Sequence, residues 1–281
     1  EERNKLASTI NSSATSVVTT YDIGGLRAGS VCEIDSELLY IWEANPTTKT
    51  LTVDRGYAGT TAASHTGGAV IISSPRFPRA QMLDMLNSEL DDLSSAMNNL
   101  YRVVTADLDY NGNDRQIDIT GSTSVLELID VRLRYLADEY PIIRDVRLQT
   151  GLPTADFPSG NAIVLDENVM AGSLRVRYKS GFTRASSEAS DLTTDCKLPS
   201  TCDDIVELGL IIRMMSAREI KRNFIESQGD TRRSDEDTRR SDEVPPGSTR
   251  DSFTNLVRLR RDRIMAESAR LKVQYPIKFR K

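Results

Sequence analysis

Leu51–Ile72 reads LTVDRGYAGTTAASHTGGAVII. LTV is a short β-branched run, Arg55-Gly56 marks a sharp turn, and AVII resumes the strand pattern. Between them Gly59, Gly67 and Gly68 supply backbone freedom that other residues resist. The stretch therefore reads as two strands around a glycine-rich crossing, and it holds His65, the only histidine of the chain. Upstream the same pattern runs through VVTTY, SVCEI and LLYIW, punctuated by Gly24-Gly25 and Asn45-Pro46, so residues 17–75 are expected to be β.

Downstream the period changes. Leu83, Leu86, Leu90, Leu93, Met97, Leu100 and Val104 alternate three and four residues apart, which predicts a helix over 79–104 with an a/d seam. Asn87, Ser94 and Ala96 stand where a free coiled coil would carry paired charges, so the seam points to a packed helical bundle open to completion by other subunits. β-Character returns over 107–178 in RQIDI, IIRDVRLQT, NAIVLD and SLRVRYKS, with turns at Asn111-Gly112, Leu152-Pro153 and Pro158–Gly160. SVLELIDVRLRYLADEY is ambiguous, and its Leu, Glu and Ala content leans to helix.

A second helix is expected after Pro199, with Thr201 and Asp204 approximating a capping box. IVELGLIIRMM is apolar on most sides and should be buried. DTRRSDE then occurs twice, at 230–236 and 237–243, followed by VPPGS, as in a mobile solvated connection or a polar helix extension. The last helix carries Phe253, Leu256, Val257, Ile264 and Leu271 on one stripe, and Pro276 must end it.

The expected fold is α+β: a helical bundle (helices near 79–104, 202–226 and 251–274) with an N-terminal β-module and an inserted β-sandwich or barrel-like domain. The expected divisions are 1–77 (β-module), 78–106 (bundle helix), 107–198 (inserted β-rich domain), 199–274 (bundle helices with a mobile 227–250 connection) and 275–281 (extended tail). Candidate subunit-packing positions are Leu83, Leu86, Leu90, Leu93, Met97, Leu100, Phe253, Val257, Ile264 and Leu271.

At 281 residues the chain can build two modest domains, and no apolar run is long enough for a membrane span. EERNKLASTINSS at the start has no apolar core of a signal peptide. Three cysteines (Cys32, Cys196, Cys202) favour free thiols in a reducing compartment over a Cys196–Cys202 bridge. The net charge of −5 is unevenly placed, with +7 over Arg250–Lys281 and −12 before it. Of the 36 basic residues 28 are Arg, which suits bidentate, partly buried ion pairs and interfaces.

DLDYNGNDRQID (107–118) places Asp107, Asp109 and Asn111 at calcium-loop positions, with Asp118 last. Asp118 is short for bidentate ligation and no exiting helix follows, so an acidic β-turn explains the same residues. His65 reads as a loop histidine bonding local backbone; Asp35 or Asp54 could approach it, but no nucleophile elbow G-x-S-x-G is present. Phosphate-loop and dinucleotide fingerprints are absent, so neither an enzyme nor a cofactor is expected. The basic last helix has a packing face and the rest of the chain is acidic, which favours a protein partner over tight DNA binding.

The pattern V-x-R-G-x-x-G-T-x-A-x-x-H-x-x-G-A (Val53–Ala69) resembles a β-module of structural proteins of tailed bacteriophages. The order of a Leu-rich helix, G-x-L-R-V-x-Y (Gly172–Tyr178), D-D-I-V-E-L-G (Asp203–Gly209) and L-x-x-x-Y-P (Leu271–Pro276) resembles phage head-to-tail connector (adaptor) proteins. The resemblance implies a virion structural protein of the neck, assembled in the host cytoplasm as a ring of twelve copies under the capsid portal. It also implies contact with a stopper or tail-completion protein, passage of double-stranded DNA during ejection, and no membrane. Tyr275, Pro276, Ile277, Lys278, Phe279 and Arg280 would be the portal-binding segment, an extended piece that orders on assembly. The alternatives are another neck or tail component (stopper, tail-completion or tail-tip protein) and a calcium- or glycan-binding β-module.

Overall fold

The computed structural model describes residues 3–119, 121, 124–134, 140–166, 169–229 and 248–279; for 217–229 and 248–252 it describes the backbone alone. Two compact units emerge, Glu1–Leu86 with Ser186–Ala189, and Asn87–Ala185 with Ser190–Lys281.

In the first unit β1 (Arg3–Lys5), β2 (Ser16–Val18), β3 (Val31–Ile34), β4 (Glu37–Asn45), β5 (Thr50–Asp54) and β6 (Val70–Ser73) form one antiparallel sheet. The strand order is β1-β6-β3-β4-β5-β2. Leu51 and Val53 alternate inward with Thr52 and Asp54 outward, the period-2 pattern of a half-buried strand. These residues join Leu6, Val17, Cys32, Ile34, Leu39, Ile41 and Ile71 in one core. The β3–β4 hairpin turns on Asp35-Ser36, with Asp35 at φ +53, so Asp35 and Glu37 stand at the mouth of the same turn. A bulge between Ile41 and Glu43 leaves Trp42 without a partner on β5 and turns Trp42 and Glu43 both outward.

The second unit holds β7 (Arg102–Tyr110), β8 (Gln116–Asp118), β9 (Val125–Arg134), β10 (Ile142–Ile143), β11 (Val146–Thr150), β12 (Asn161–Leu165) and β13 (Gly172–Ser180). They form two antiparallel sheets, ordered β10-β9-β13-β7 and β11-β12-β8. Leu108, Leu128, Val131, Ile163, Leu165, Leu174, Val176 and Tyr178 from both sheets share one core. The outer face of β13 carries Arg175, Arg177 and Lys179, each answered by a carboxylate on a neighbouring strand: Asp107 (2.8 Å), Asp130 (2.9 Å) and Glu127 (2.7 Å). Such cross-strand pairs are the units of sheet register.

Three α-helices complete the described residues: α1 (Arg79–Leu93), α2 (Asp203–Gly229) and α3 (Ser248–Gln274). None is long and apolar enough to cross a membrane. In the second unit α2 packs on α3, and Ile205, Val206, Ile264 and Leu271 are buried. Glu89, buried on α1, accepts from Arg213 Nε of α2 (3.0 Å) and Arg260 Nε of α3 (2.8 Å).

This architecture overturns the expected helical bundle with attached β-domains. The described chain is mostly β, with three sheets and three helices. The predicted 79–104 helix stops at Leu93, and Arg102–Val104 already belong to β7. Ser94-Ser95 and Asn98-Asn99 explain the stop, because their side chains compete for helix backbone groups. Ser94 Oγ donates to the Leu90 carbonyl (3.3 Å), the Asn98 amide donates to the Asp92 carbonyl (2.9 Å), and Asn99 turns at φ +51. Leu100 is buried through that turn rather than through a heptad. The helical leaning of SVLELIDVRLR also fails, since Val125–Arg134 is strand β9, paired with β13 along its length. Its β-branched Val125, Ile129 and Val131 suit the sheet that tertiary pairing supplies. The DTRRSDE repeat and VPPGS lie outside the described residues, while 227–229 close α2 and 248–250 open α3.

Candidate functional site

The glycine- and arginine-punctuated stretch Val53–Ala69 folds around one carboxylate. Glu37, at the head of β4, is buried, and Arg55 at the end of β5 grips it with Nε to Oε1 (2.7 Å) and Nη2 to Oε2 (2.8 Å). The three remaining guanidinium protons go to the carbonyls of Asn11 (2.7 Å), Ala14 (3.1 Å) and Ala63 (2.5 Å), so all five donors are used. Glu37 also accepts from the Gly56 amide (3.0 Å) and the Ala63 amide (2.9 Å). Gly56 makes this possible, since it sits at φ +64 and a Cβ there would meet the Thr60 carbonyl oxygen at 2.8 Å.

His65 closes the cluster. Its ring is buried, with Nδ1 2.7 Å from Asp35 Oδ2 and Nε2 2.8 Å from Glu37 Oε2, while its backbone pairs with Ile10. Burial alone would push the Glu37 carboxyl up, but the hydrogen bonds from Arg55, Ala63, His65 and Gly56 outweigh it and hold it at about 2. The same cluster pushes the neighbouring Cys32 thiol up to about 12, through burial first and the Glu37 charge second. The expected local-backbone role of the histidine side chain is thus replaced by a carboxylate–histidine–carboxylate bridge. Of Asp35 and Asp54, Asp35 is the one that meets His65.

Chemically this arrangement is a lock. Both ring nitrogens of His65 face carboxylates, which leaves neither free to take a proton from a nucleophile. Glu37 has five donors on two oxygens and no lone pair to offer a substrate. A cavity of about 750 Å³ opens beside the cluster, lined by Asp35, Thr60, Ser64, His65, Asp84 and Ser186 among others, but no serine or threonine hydroxyl bonds to the ring. Compared with known proteins, the chain matches no protein-family model and no curated protein sequence.

The remaining predicted positions scatter. Asp107 lies in β7 against Arg175, and Asp118 in the other sheet accepts from Ser159 Oγ (2.7 Å). Asn111 caps a tight turn through the Asn113 amide (2.9 Å), and Asp109 lies on β7. The four are not brought together, and no metal-ligating group of three or more exists among the described residues. Of the packing set, Leu90, Leu93, Leu100, Ile264 and Leu271 are buried inside the second unit, Leu83, Leu86 and Phe253 are half-buried, and Met97 (93%) and Val257 (42%) face solvent.

Of the tail, Tyr275 and Phe279 are half-buried, Pro276, Ile277 and Lys278 are exposed, and Arg280 lies outside the described residues. Within the chain, Arg260 of α3 pairs with Glu89 and Asp92, Arg263 with Asp204 and Arg270 with Glu267. Sequence reasoning missed Glu37, Glu89 and an aromatic trio in which Tyr40 meets Trp42 (4.9 Å) and Tyr57 (5.3 Å). The available signal was a charge inside an apolar run, Glu37 before LLYIW, since a buried charge implies a partner.

Proposed function

We propose that the chain is a structural, non-catalytic component of a tailed-phage particle, sited at the head–tail junction. In this reading copies form a ring, of twelve by the family resemblance, that joins the portal above to a stopper or tail-completion protein below and lets double-stranded DNA pass. It is assembled in the host cytoplasm. The observation that carries the reading is the segment Tyr275–Phe279, which leaves α3 at Pro276 with Pro276, Ile277 and Lys278 exposed. Beyond Tyr275, whose amide closes α3 on the Leu271 carbonyl (2.9 Å), it is held by the Lys278 amide on the Ile129 carbonyl (3.1 Å) and by the Phe279 ring against the core. A short extended segment with alternating apolar and basic residues, lightly held, is suited to transfer into a partner groove. The saturated Arg55–Glu37–His65–Asp35 lock supports a scaffold role for the phage-like β-module.

Deleting residues 275–281 is expected to leave a folded protein that no longer joins purified portal rings; unchanged attachment overturns the portal assignment. The mostly β architecture favours a second reading, another neck or tail component such as a stopper, tail-completion or tail-tip protein, because the bundle expected of an adaptor is not what the chain builds. Such a protein would retain particle association after the same deletion.

A further inference from the structure

Among the described residues, β9 is paired fully on one side and only in part on the other. On one side it pairs with β13 from Val125 to Arg134, while on the other β10 reaches only Val131 and Arg132. Among the described residues, Val125–Asp130 therefore has no paired strand on that side, the kind of edge that natural sheets shield against pairing with other chains. On its β13 side β9 is bulged twice, since Ile129 is skipped between the Arg177–Asp130 and Tyr178–Leu128 pairs and Leu126 between the Lys179–Glu127 and Ser180–Val125 pairs. Ile129 is nevertheless fully buried, and its carbonyl accepts the Lys278 amide at 3.1 Å. One residue on, the half-buried Phe279 ring packs against the core shared by the two sheets of this unit. The chain arrives there directly from α3, whose last turn closes with the Tyr275 amide on the Leu271 carbonyl (2.9 Å), and Pro276 prevents the helix from continuing past the sheet.

We propose that Ile277–Phe279 is a latch: in the free protein it covers the open edge of β9, and a partner that takes this segment must first displace it. The inference rests on the reading of 275–280 as a partner-binding segment and adds its regulation. One backbone hydrogen bond and one ring form a contact that is strong enough to shield the edge and weak enough to exchange. Because the segment cannot occupy β9 and a partner groove together, the apparent affinity for the partner falls by the fraction of time the latch is open. Premature self-pairing through β9 is suppressed by the same contact.

Hydrogen exchange on the full chain reads the latch without any partner. The Lys278 amide is expected to exchange about tenfold or more slowly than an unstructured amide, and Phe279→Ala to return it to the unstructured rate. Exchange at the unstructured rate in the unaltered chain overturns the proposal. A flexible Gly-Ser linker of about 20 residues inserted between Gln274 and Tyr275 keeps every tail residue but dilutes the tail at β9. Lys278 protection should then fall, and affinity for portal rings should rise by the same factor; lost protection with unchanged affinity refutes the regulatory role. If neither chain binds portal rings while Lys278 stays protected, the portal assignment fails and the shielding of β9 stands.

Discussion

Replacing Glu37 by Gln tests the buried cluster with a near-isosteric change. Glu37 and Arg55 are 1% and 6% exposed, so the substitution leaves a guanidinium buried without its counter-charge. Removing one partner of such a pair costs about 3–5 kcal/mol. The carboxyl supplies a second route to the magnitude. Its fall from 4.5 to about 2 corresponds to about 3 kcal/mol of folded-state preference for the ionised form. The sign follows from the depressed value: the contribution is complete above the unfolded value of 4.5 and is lost as pH falls toward about 2. Trp42, the only tryptophan, lies on β4 with Glu37, so its fluorescence reports the unfolding of this unit. In urea titrations at pH 7, Glu37→Gln should lower stability by about 3 kcal/mol. The difference from the unaltered chain should shrink steadily between pH 4.5 and 2. A loss below about 1 kcal/mol, the scale of an exposed pair, or a loss independent of pH would refute the reasoning.

Gly209→Ala on α2 should destabilise the second unit by about 2 kcal/mol despite the better helix propensity of Ala, because the new Cβ would lie 2.1 Å from the Glu89 carboxylate and drive it off Arg213 and Arg260. Far-UV circular dichroism should record that loss while the Trp42 transition stays in place. Cys32, Cys196 and Cys202 are free and buried, with Cys32 pushed up to about 12 and Cys202 to about 11, so a thiol reagent at pH 8 should label none in the native chain and all three in denaturant. Met97→Ser and Val257→Ser should each change folding stability by less than about 0.5 kcal/mol, as solvent-facing positions do, and should weaken self-association in sedimentation if these side chains contact a second copy.

Strands β2 to β6 of the first unit were legible because β-branched runs and turn residues fall in step, as in SVCEI, LLYIW, LTV and AVIIS, whereas β1 (Arg3–Lys5) is a polar RNK stretch outside the expected 17–75 span. The starts of α1 near Pro78 and of α2 after Pro199 were legible for the same local reason. The end of α1 was not, because a 3-4 spacing of leucines continues through Leu100 while the polar Ser94-Ser95 and Asn98-Asn99 pairs decide the backbone. β9 was misread because its helix-favouring Leu and Glu are overruled by pairing with β13, some 45 residues away in sequence. The lock around His65 was half legible. Arg55, Gly56 and His65 stood out, but Glu37 lies 18 residues before Arg55 and 28 before His65, a separation only the sheet closes. The Arg-rich character of α3 suggested interfaces, and its pairs with Glu89, Asp204 and Glu267 are contacts within the chain.

The proposed placement in a phage neck is tested most directly by immunogold electron microscopy of particles purified from lysates of the cells that make this chain, using antibodies against the first unit. The expected result is gold confined to the junction of head and tail. Gold at the tail tip, along the tail, or absent from particles altogether would contradict it.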